Sequence, residues 1–401
     1  MSIFYPFPLP TTGSIIFSQF INTVEHRQLV LNADEKRARL RDSLKRAKRA
    51  ENPDILGVIN AIEEYLPYLF TLMDGIETQA FEVINNQVPL FSWRLPMKAA
   101  TSSKHIRVVE PPRVEVASFE YERGMTVLTY ALAIIAFGEK TLKQSESTEK
   151  WKLMSNKLMQ AESVLRYLAE QNVGLANNIA NIPDLHPSTI SGLITMVSGS
   201  LHLNIIYKSQ AQGSASSSLL SRVSLYAAEK FGTASQLFSG SNHGGNGSNS
   251  NKKLLTNLLP NNGLSQWLKA ARNFSIAYAE KYMADTSQQK GEVGLAIAYL
   301  QNAKEALNAV EDISKVYLQP MAGKLKSYID ESQTLFKAEN DRIAFQPIPN
   351  SSEVEQNWPS GREVVPNQPT WVPPVSLLRV QNEYSSADSQ EESNKPGREY
   401  F

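Results

Sequence analysis

"GLSQWLKAARNFSIAYAEKYMA" (263–284), followed after a short link by "KGEVGLAIAYLQNAKEAL" (290–307), is the stretch on which the fold turns. Apolar and small residues recur in both at helical spacing, so each reads as a helix with one buried face. Trp267, Leu268 and Ala279 in the first and Gly294, Ala298, Ala303 and Ala306 in the second form the pattern, and its small residues let the two backbones approach closely. A hairpin of this size cannot bury its apolar face alone, so further helices must flank it.

The flanks agree. Helical periodicity covers roughly 119–142, 147–173, 187–211, 216–239, 263–285, 290–313 and 319–340, with no strand pattern between. Long helices in uninterrupted series imply a bundle or a solenoid, and the 263–307 hairpin resembles a degenerate tetratricopeptide unit, which favours the solenoid. The first 110 residues differ. Asn32 or Asp34 is placed to cap a basic helix running to about Ala50, and Pro53 starts another with Ile55, Val58, Ile59, Ile62, Leu66 and Leu69 on one face. "VPLFSWRLP" (88–96) and "HIRVVEPPRVEVASFEYE" (105–122) alternate β-branched and aromatic residues between prolines and predict two or three strands. The expected fold is mostly α with a small N-terminal β-sheet.

Its predicted organisation is one domain over 1–350, with a mixed α/β part at 3–110 and a helical solenoid plus a sealing segment at 111–349. The stretch "SGSNHGGNGSNSNKK" (239–253) has no apolar residue and predicts a flexible loop, and 351–401 reads as a Pro-rich, largely disordered tail. Within that tail, the composition of "WPSGREVVPNQPTWVPP" (358–374) suits both packing on the domain and a linear motif.

Composition narrows the function. The 401 residues carry 40 Lys+Arg against 40 Asp+Glu, so no net field favours nucleic acid. There is no cysteine, which excludes disulfides and thiolate chemistry and fits a cytoplasmic setting. The apolar run "MTVLTYALAIIAF" (125–137) is short for a bilayer span, and the first residues do not read as a secretory signal. The five histidines, His26, His105, His186, His202 and His243, are not at metal-ligand spacing. "FGEKT" (137–141) lacks the earlier glycine and the strand of a phosphate-binding loop, and no nucleophile elbow, zincin helix or dinucleotide glycine pattern occurs. No enzyme, cofactor or metal site is expected.

"KRARLRDSLKRAKR" (36–49) is the densest charge run. On a helix, Arg37, Arg41, Lys45 and Lys48 form one stripe beside Leu40 and Leu44, which makes an anionic-lipid contact one reading and a solvated helix face the other.

"FKAENDRIAFQPIPN" (336–350) changes from a charged helix to a short apolar segment and two prolines. Taken in order, the 263–284 and 290–307 helices, the long helix after them and "ENDRIAFQPIP" (339–349) resemble the C-terminal half of the BRO domain, the banana-shaped module of Alix, PalA and PalC. "FYPFPLPTTGSIIFSQF" (4–20), "WRLP" (93–96) and the 358–374 stretch are similar to the fungal PalC type, whose members act in ambient (alkaline) pH signalling. In the family the Asn-Asp-x-Ile segment leads into an extended piece lying back along the domain, which implies that Ile343 and Phe345 seal the solenoid's apolar flank.

The resemblance implies a non-catalytic adaptor. BRO domains bind the C-terminal amphipathic helix of the main ESCRT-III filament subunit, a helix-in-groove mode. For the PalC type the implied role links ESCRT-III to the plasma-membrane pH-sensing complex and so permits proteolytic activation of a zinc-finger transcription factor. Carried onto this sequence, the family's contact pattern falls on Ile205 in "NIIYKSQ" and on Leu219, Arg222 and Val223 in "SLLSRVSLYAAEKFG". Helical geometry adds Tyr226. Leu220, Ala227, Phe231, Ala234 and Phe238 form a core stripe, whereas Leu219, Arg222 and Tyr226 form a neighbouring one that the core does not need, with Val223 at the border. The expected location is cytoplasmic, with recruitment to plasma-membrane or endosomal sites. A reading of another class is a peripheral membrane protein acting through Arg37, Arg41, Lys45 and Lys48.

Overall fold

The computed structural model describes residues 3–98, 111–145, 147–171, 179, 181–239, 262–311, 319–364 and 369–379. They fall into two compact units. Residues 105–110 of the second strand-like stretch, 240–253 of the Gly/Asn-rich loop and the tail from 380 lie outside the described residues.

One unit comprises Leu9–Arg94, Arg113–Tyr130 and the described residues from Trp371 on. Helix α1 (Arg27–Arg49) packs on α2 (Ile55–Glu77), whose N-cap Asp54 accepts from Gly57 N–H at 2.9 Å. Four short strands pair antiparallel in twos: β1 (Ile21–Asn22) with β2 (Glu82–Val83), and β3 (Phe91–Arg94) with β4 (Arg113–Val116). Alternation reveals β3 and β4. The two-residue β1 and β2 are too short to carry a period.

α1 begins well before the expected caps. Asp34 lies inside the helix, and its carboxylate accepts the N–H groups of Phe17 and Ser18 in a 3-10 turn (Phe17–Gln19). Its capping chemistry serves that other turn. Asn32 accepts from Gln28 one helical turn away, at 2.9 Å.

Arg37 corrects the cationic stripe. It is 1% exposed, its Nε donates to Glu122 at 2.9 Å, and its other nitrogens donate to Gly13 O and Thr12 Oγ1, each at 2.7 Å. Glu122, equally buried, also accepts from Tyr65 Oη at 3.1 Å and Trp93 Nε1 at 2.6 Å. Burial opposes the guanidinium charge, but Glu122 and Tyr65 outweigh it and hold the Arg37 pKa above its ordinary value. A buried charge is tolerated only with such partners. Arg37 therefore ties α1 to β3 and to helix α3 (Phe119–Gln144) and presents nothing to a membrane.

The other unit comprises the described part of Met1–Pro8, Leu95–Pro112 and Ala131–Thr370. It holds the second half of α3, then α4 (Glu149–Gln171), α5 (Pro187–Gln212), α6 (Ser217–Ser239), α7 (Asn262–Gln289), α8 (Val293–Glu311), α9 (Gln319–Glu339) and a short α10 (Ser351–Gln356). From α4 to α9 each helix packs on the next, the neighbour-to-neighbour pattern of a solenoid. Trp267, Leu268, Ala279, Ala298 and Ala303 are all buried, as their spacing requires. The first residues dock here too: Glu139 accepts the N–H groups of Ile3 (2.8 Å) and Phe4 (3.0 Å), and Phe4 and Tyr5 lie against Trp267.

The sealing segment differs from expectation. After α9 the chain makes a π-helical turn (Asn340–Ala344) and reverses at Phe345, whose φ is 50°. That reversal turns Ile343 and Phe345 outward, to 77% and 75% exposure. The joint is polar instead. Asn340 Nδ2 donates to Gln346 O and its Oδ1 accepts Gln346 N–H, both at 2.9 Å, while the Gln346 side chain accepts from Gly294 N–H (3.0 Å) and donates to Gly291 O (2.8 Å). At Gly294 a Cβ would lie 2.3 Å from Pro347 O, so only glycine admits the returning chain.

By length and composition alone, α2, α3 and α5 could cross a membrane. The run at 125–137 thus belongs to a longer helix than its apolar core suggests. Most of α3 and α5 is buried in protein packing.

Candidate partner-binding site

The predicted contact residues sit on the α5–α6 hairpin. Pro187 starts α5, whose N-cap His186 accepts Ser188 N–H at 3.2 Å, and Gly213 ends it in the left-handed region. Close pairs run antiparallel along the hairpin: Gly192 faces Phe238, Gly199 faces Phe231, and the His202 and Tyr226 rings lie 4.4 Å apart. This register sets Ile205 level with the turn of α6 that carries Val223 and Tyr226.

On α6 the core stripe is buried as expected at Leu220, Ala227, Phe231, Ala234 and Phe238. Leu219, Arg222 and Tyr226 are half-buried, and so is Ile205 on α5. Val223, placed at the border by the sequence, is 1% exposed and belongs with the core stripe. Lys230 Nζ lies 4.7 Å from the Tyr226 ring centroid. Burial raises the Tyr226 pKa, Lys230 opposes the rise, and Glu363 adds to it.

Glu363 belongs to the tail, whose residues 351–364 pack within this unit. α10 carries a complete capping box, Asn350 with Glu353, and buries Val354. Beyond it the chain lies along α5–α6. Arg222 Nε donates to Ser360 O at 3.1 Å, Arg362 N–H donates to Arg222 O at 3.0 Å, and Val364 N–H donates to His202 Nε2 at 3.3 Å. The three contacts use alternate residues, as an extended chain requires to turn the same edge toward a neighbour. Gly361 makes the approach feasible: a Cβ there would lie 2.9 Å from Tyr226 N. In the other unit, Leu377 N–H donates to Thr71 Oγ1 and Arg379 pairs with Asp74 at 2.7 Å, which holds the Asp74 carboxyl below its usual range.

His202, read from sequence as an ordinary lone histidine, thus contacts the tail. Its Nδ1 lies 2.8 Å from Ser198 O, so Nδ1 carries the proton and Nε2 accepts. Burial pulls its pKa down, against the opposing effects of Ser198 O and Glu363. No local pattern could have found this contact, because 162 residues separate His202 from Val364.

Of the lipid candidates other than Arg37, Arg41 is half-buried and pairs with Asp42 at 3.2 Å, Lys45 is half-buried, and Lys48 is exposed. Among the described residues no group of His, Asp or Glu could hold a metal ion. A cavity of about 360 Å³, lined by Trp151, Tyr207, Tyr278, Lys281 and Tyr328 among others, contains none of the predicted contact residues.

Comparison with known proteins identifies the family. The model of the BRO1-like domain matches residues 25–392. The chain belongs to the BRO1-like domain family. Among its relatives, the "pH-response regulator protein palC" of Yarrowia lipolytica is 29% identical over 96% of this chain and 98% of its own length. The protein of that name from Emericella nidulans is 23% identical over 92% and 89%. Two solved structures share the fold. One, described as "ALIX BRO1 CHMP4C complex", has a TM-score of 0.63 at 16% identity, covering 94% of this chain and 98% of that one. The other, described as "Structure basis for endosomal targeting by the Bro1 domain", has 0.61 at 13% identity, covering 97% of each.

Proposed function

We propose that this BRO1-like protein is a non-catalytic adaptor of alkaline pH signalling that binds the C-terminal amphipathic helix of the ESCRT-III filament subunit on its α5–α6 face. The half-buried stripe of Leu219, Arg222 and Tyr226, beside a core stripe already complete without it, carries this reading. Apolar surface left over beside a packed face is what an amphipathic partner helix can cover. Ile205 extends the patch from α5, and Val223 shapes its floor. The relatives' description as pH-response regulators and the neighbour described in complex with CHMP4C support the pathway and the partner class. On this reading the protein is cytoplasmic, is recruited to plasma-membrane or endosomal sites, and links ESCRT-III to the pH-sensing complex upstream of transcription-factor proteolysis.

The test is a fluorescence-anisotropy titration with a labelled peptide spanning that C-terminal helix. Wild type should bind saturably, and Leu219→Asp should lose binding with an unchanged circular-dichroism spectrum, because a carboxylate in a desolvated contact costs several kcal/mol. Equal binding by the folded variant would remove Leu219 from the site.

A further inference from the structure

Arg222 and Tyr226 already touch a peptide segment, and it is the chain's own. Ser360, Arg362 and Val364 engage Arg222 and His202 through main-chain groups, and Gly361 lies directly on the Tyr226 backbone. We propose that Trp358–Val364 is an intramolecular strap that occupies the α5–α6 face, so that a partner helix gains the face only when the strap is released. The inference rests on the adaptor reading for the identity of the partner.

The strap is built to be held and also to let go. It is tethered immediately after Val354, buried on α10, so its effective concentration at the face is high. Its contacts include the three hydrogen bonds above, two with main-chain N–H donors that water can satisfy equally well, and a side-chain hydrogen bond between Glu363 and Tyr226. Ser360, Arg362 and Glu363 are exposed and Trp358, Pro359 and Val364 are only half-buried, so no side chain of the segment is fully buried. Among the described residues nothing hydrogen-bonds the shielded Trp358 Nε1, and release would let water satisfy it. Segments with few apolar contacts and exposed hydrogen bonds open at the low end of a protein's stability range.

Arg362 supplies a readout that needs no ligand, since trypsin cleaves after arginine only where the chain is free to enter the protease. Three full-chain variants loosen the strap without substituting any residue of α5 or α6: Gly361→Val drives a branched side chain at the Tyr226 backbone, and Arg362→Pro and Val364→Pro each delete one N–H donor. Cleavage of the 358–364 segment is followed in wild type, Gly361→Val and Val364→Pro, which retain Arg362, and affinity for the labelled ESCRT-III peptide in all four. Wild type should resist, Gly361→Val and Val364→Pro should be cut faster, and the variants should bind the peptide about tenfold tighter, as expected if the strap leaves the face open roughly one-tenth of the time. Wild-type cleavage as fast as the variants' would overturn the strap. Faster cleavage with unchanged peptide affinity would overturn its gating role and leave the adaptor reading standing. No binding even by the cut-prone variants would overturn the adaptor reading, and the gating with it.

Discussion

Arg37 on α1 and Arg222 on α6 lie on helices with similarly plain amphipathic patterns, yet their surroundings are opposite. Arg37 is sealed among Glu122, Thr12 and Gly13, with Tyr65 and Trp93 completing the acidic partner's hydrogen bonds. Arg222 is half-buried and holds a main-chain carbonyl of the returning tail. A buried charge whose three nitrogens all donate to partners inside the protein is structural, because any opening strands it in a medium of low polarity. A charge that holds an exposed carbonyl can exchange that partner for water or for another chain. The comparison separates a cation that fixes the fold from one available to function.

The largest expected effect breaks the first member of the pair. Glu122→Ala should destabilise by about 3–5 kcal/mol, because it leaves Arg37 buried without its counter-charge. Arg222→Ala should cost only about 1 kcal/mol, the net worth of one ordinary hydrogen bond. Urea denaturation of both reads the contrast directly, and equal losses would erase the distinction. Gly294→Ala comes next at about 1–3 kcal/mol, since its methyl group must displace Pro347 and the polar joint around Gln346.

A dependence on pH is expected as well. Burial raises the Glu280 carboxyl from 4.5 to about 9, with Asn302 opposing. Between those values the folded protein keeps a proton that the unfolded chain has released, so stability falls as pH rises, by at most about 1.4 kcal/mol per pH unit. Glu280→Gln should flatten the thermal-stability profile from pH 6 to about 9. A slope unchanged in that variant would assign the dependence elsewhere. His202 carries the opposite sign. Its folded pKa is depressed, so its contribution is fully present above the unfolded histidine value and is lost as pH falls through the folded one. Protonated Nε2 can no longer accept from Val364 N–H, so tryptic cleavage after Arg362, corrected for the enzyme's own pH profile, should quicken in acid.

The sequence made the helical series legible because residues 119–340 repeat one period over many turns, and single-turn errors at the ends change little. The core stripe of α6 was legible for the same reason. What it could not reveal depends on long-range partners. Arg37 looked like its neighbours Arg41 and Lys45 until Glu122, 85 residues away, was brought beside it. The resemblance implied a seal at Ile343 and Phe345, and the left-handed turn at Phe345, which points them outward, has no signal in the sequence. Ser360 and Val364 sit in a Pro-rich stretch whose composition suits packing on the domain and a linear motif alike, and their contacts with Arg222 and His202 span far more sequence than any local pattern covers.

The absence of cysteine from all 401 residues gives the most direct test of the central claim, that the α5–α6 face receives the partner helix. Leu219→Cys on α6 and, as a distant control, Arg342→Cys in the exposed π-helical turn would each provide a single thiol. Their rates of alkylation would be compared with and without a saturating ESCRT-III helix peptide. The account predicts strong slowing at Leu219→Cys and none at Arg342→Cys. Binding of the peptide with no change at Leu219→Cys would contradict it and move the partner site to another face.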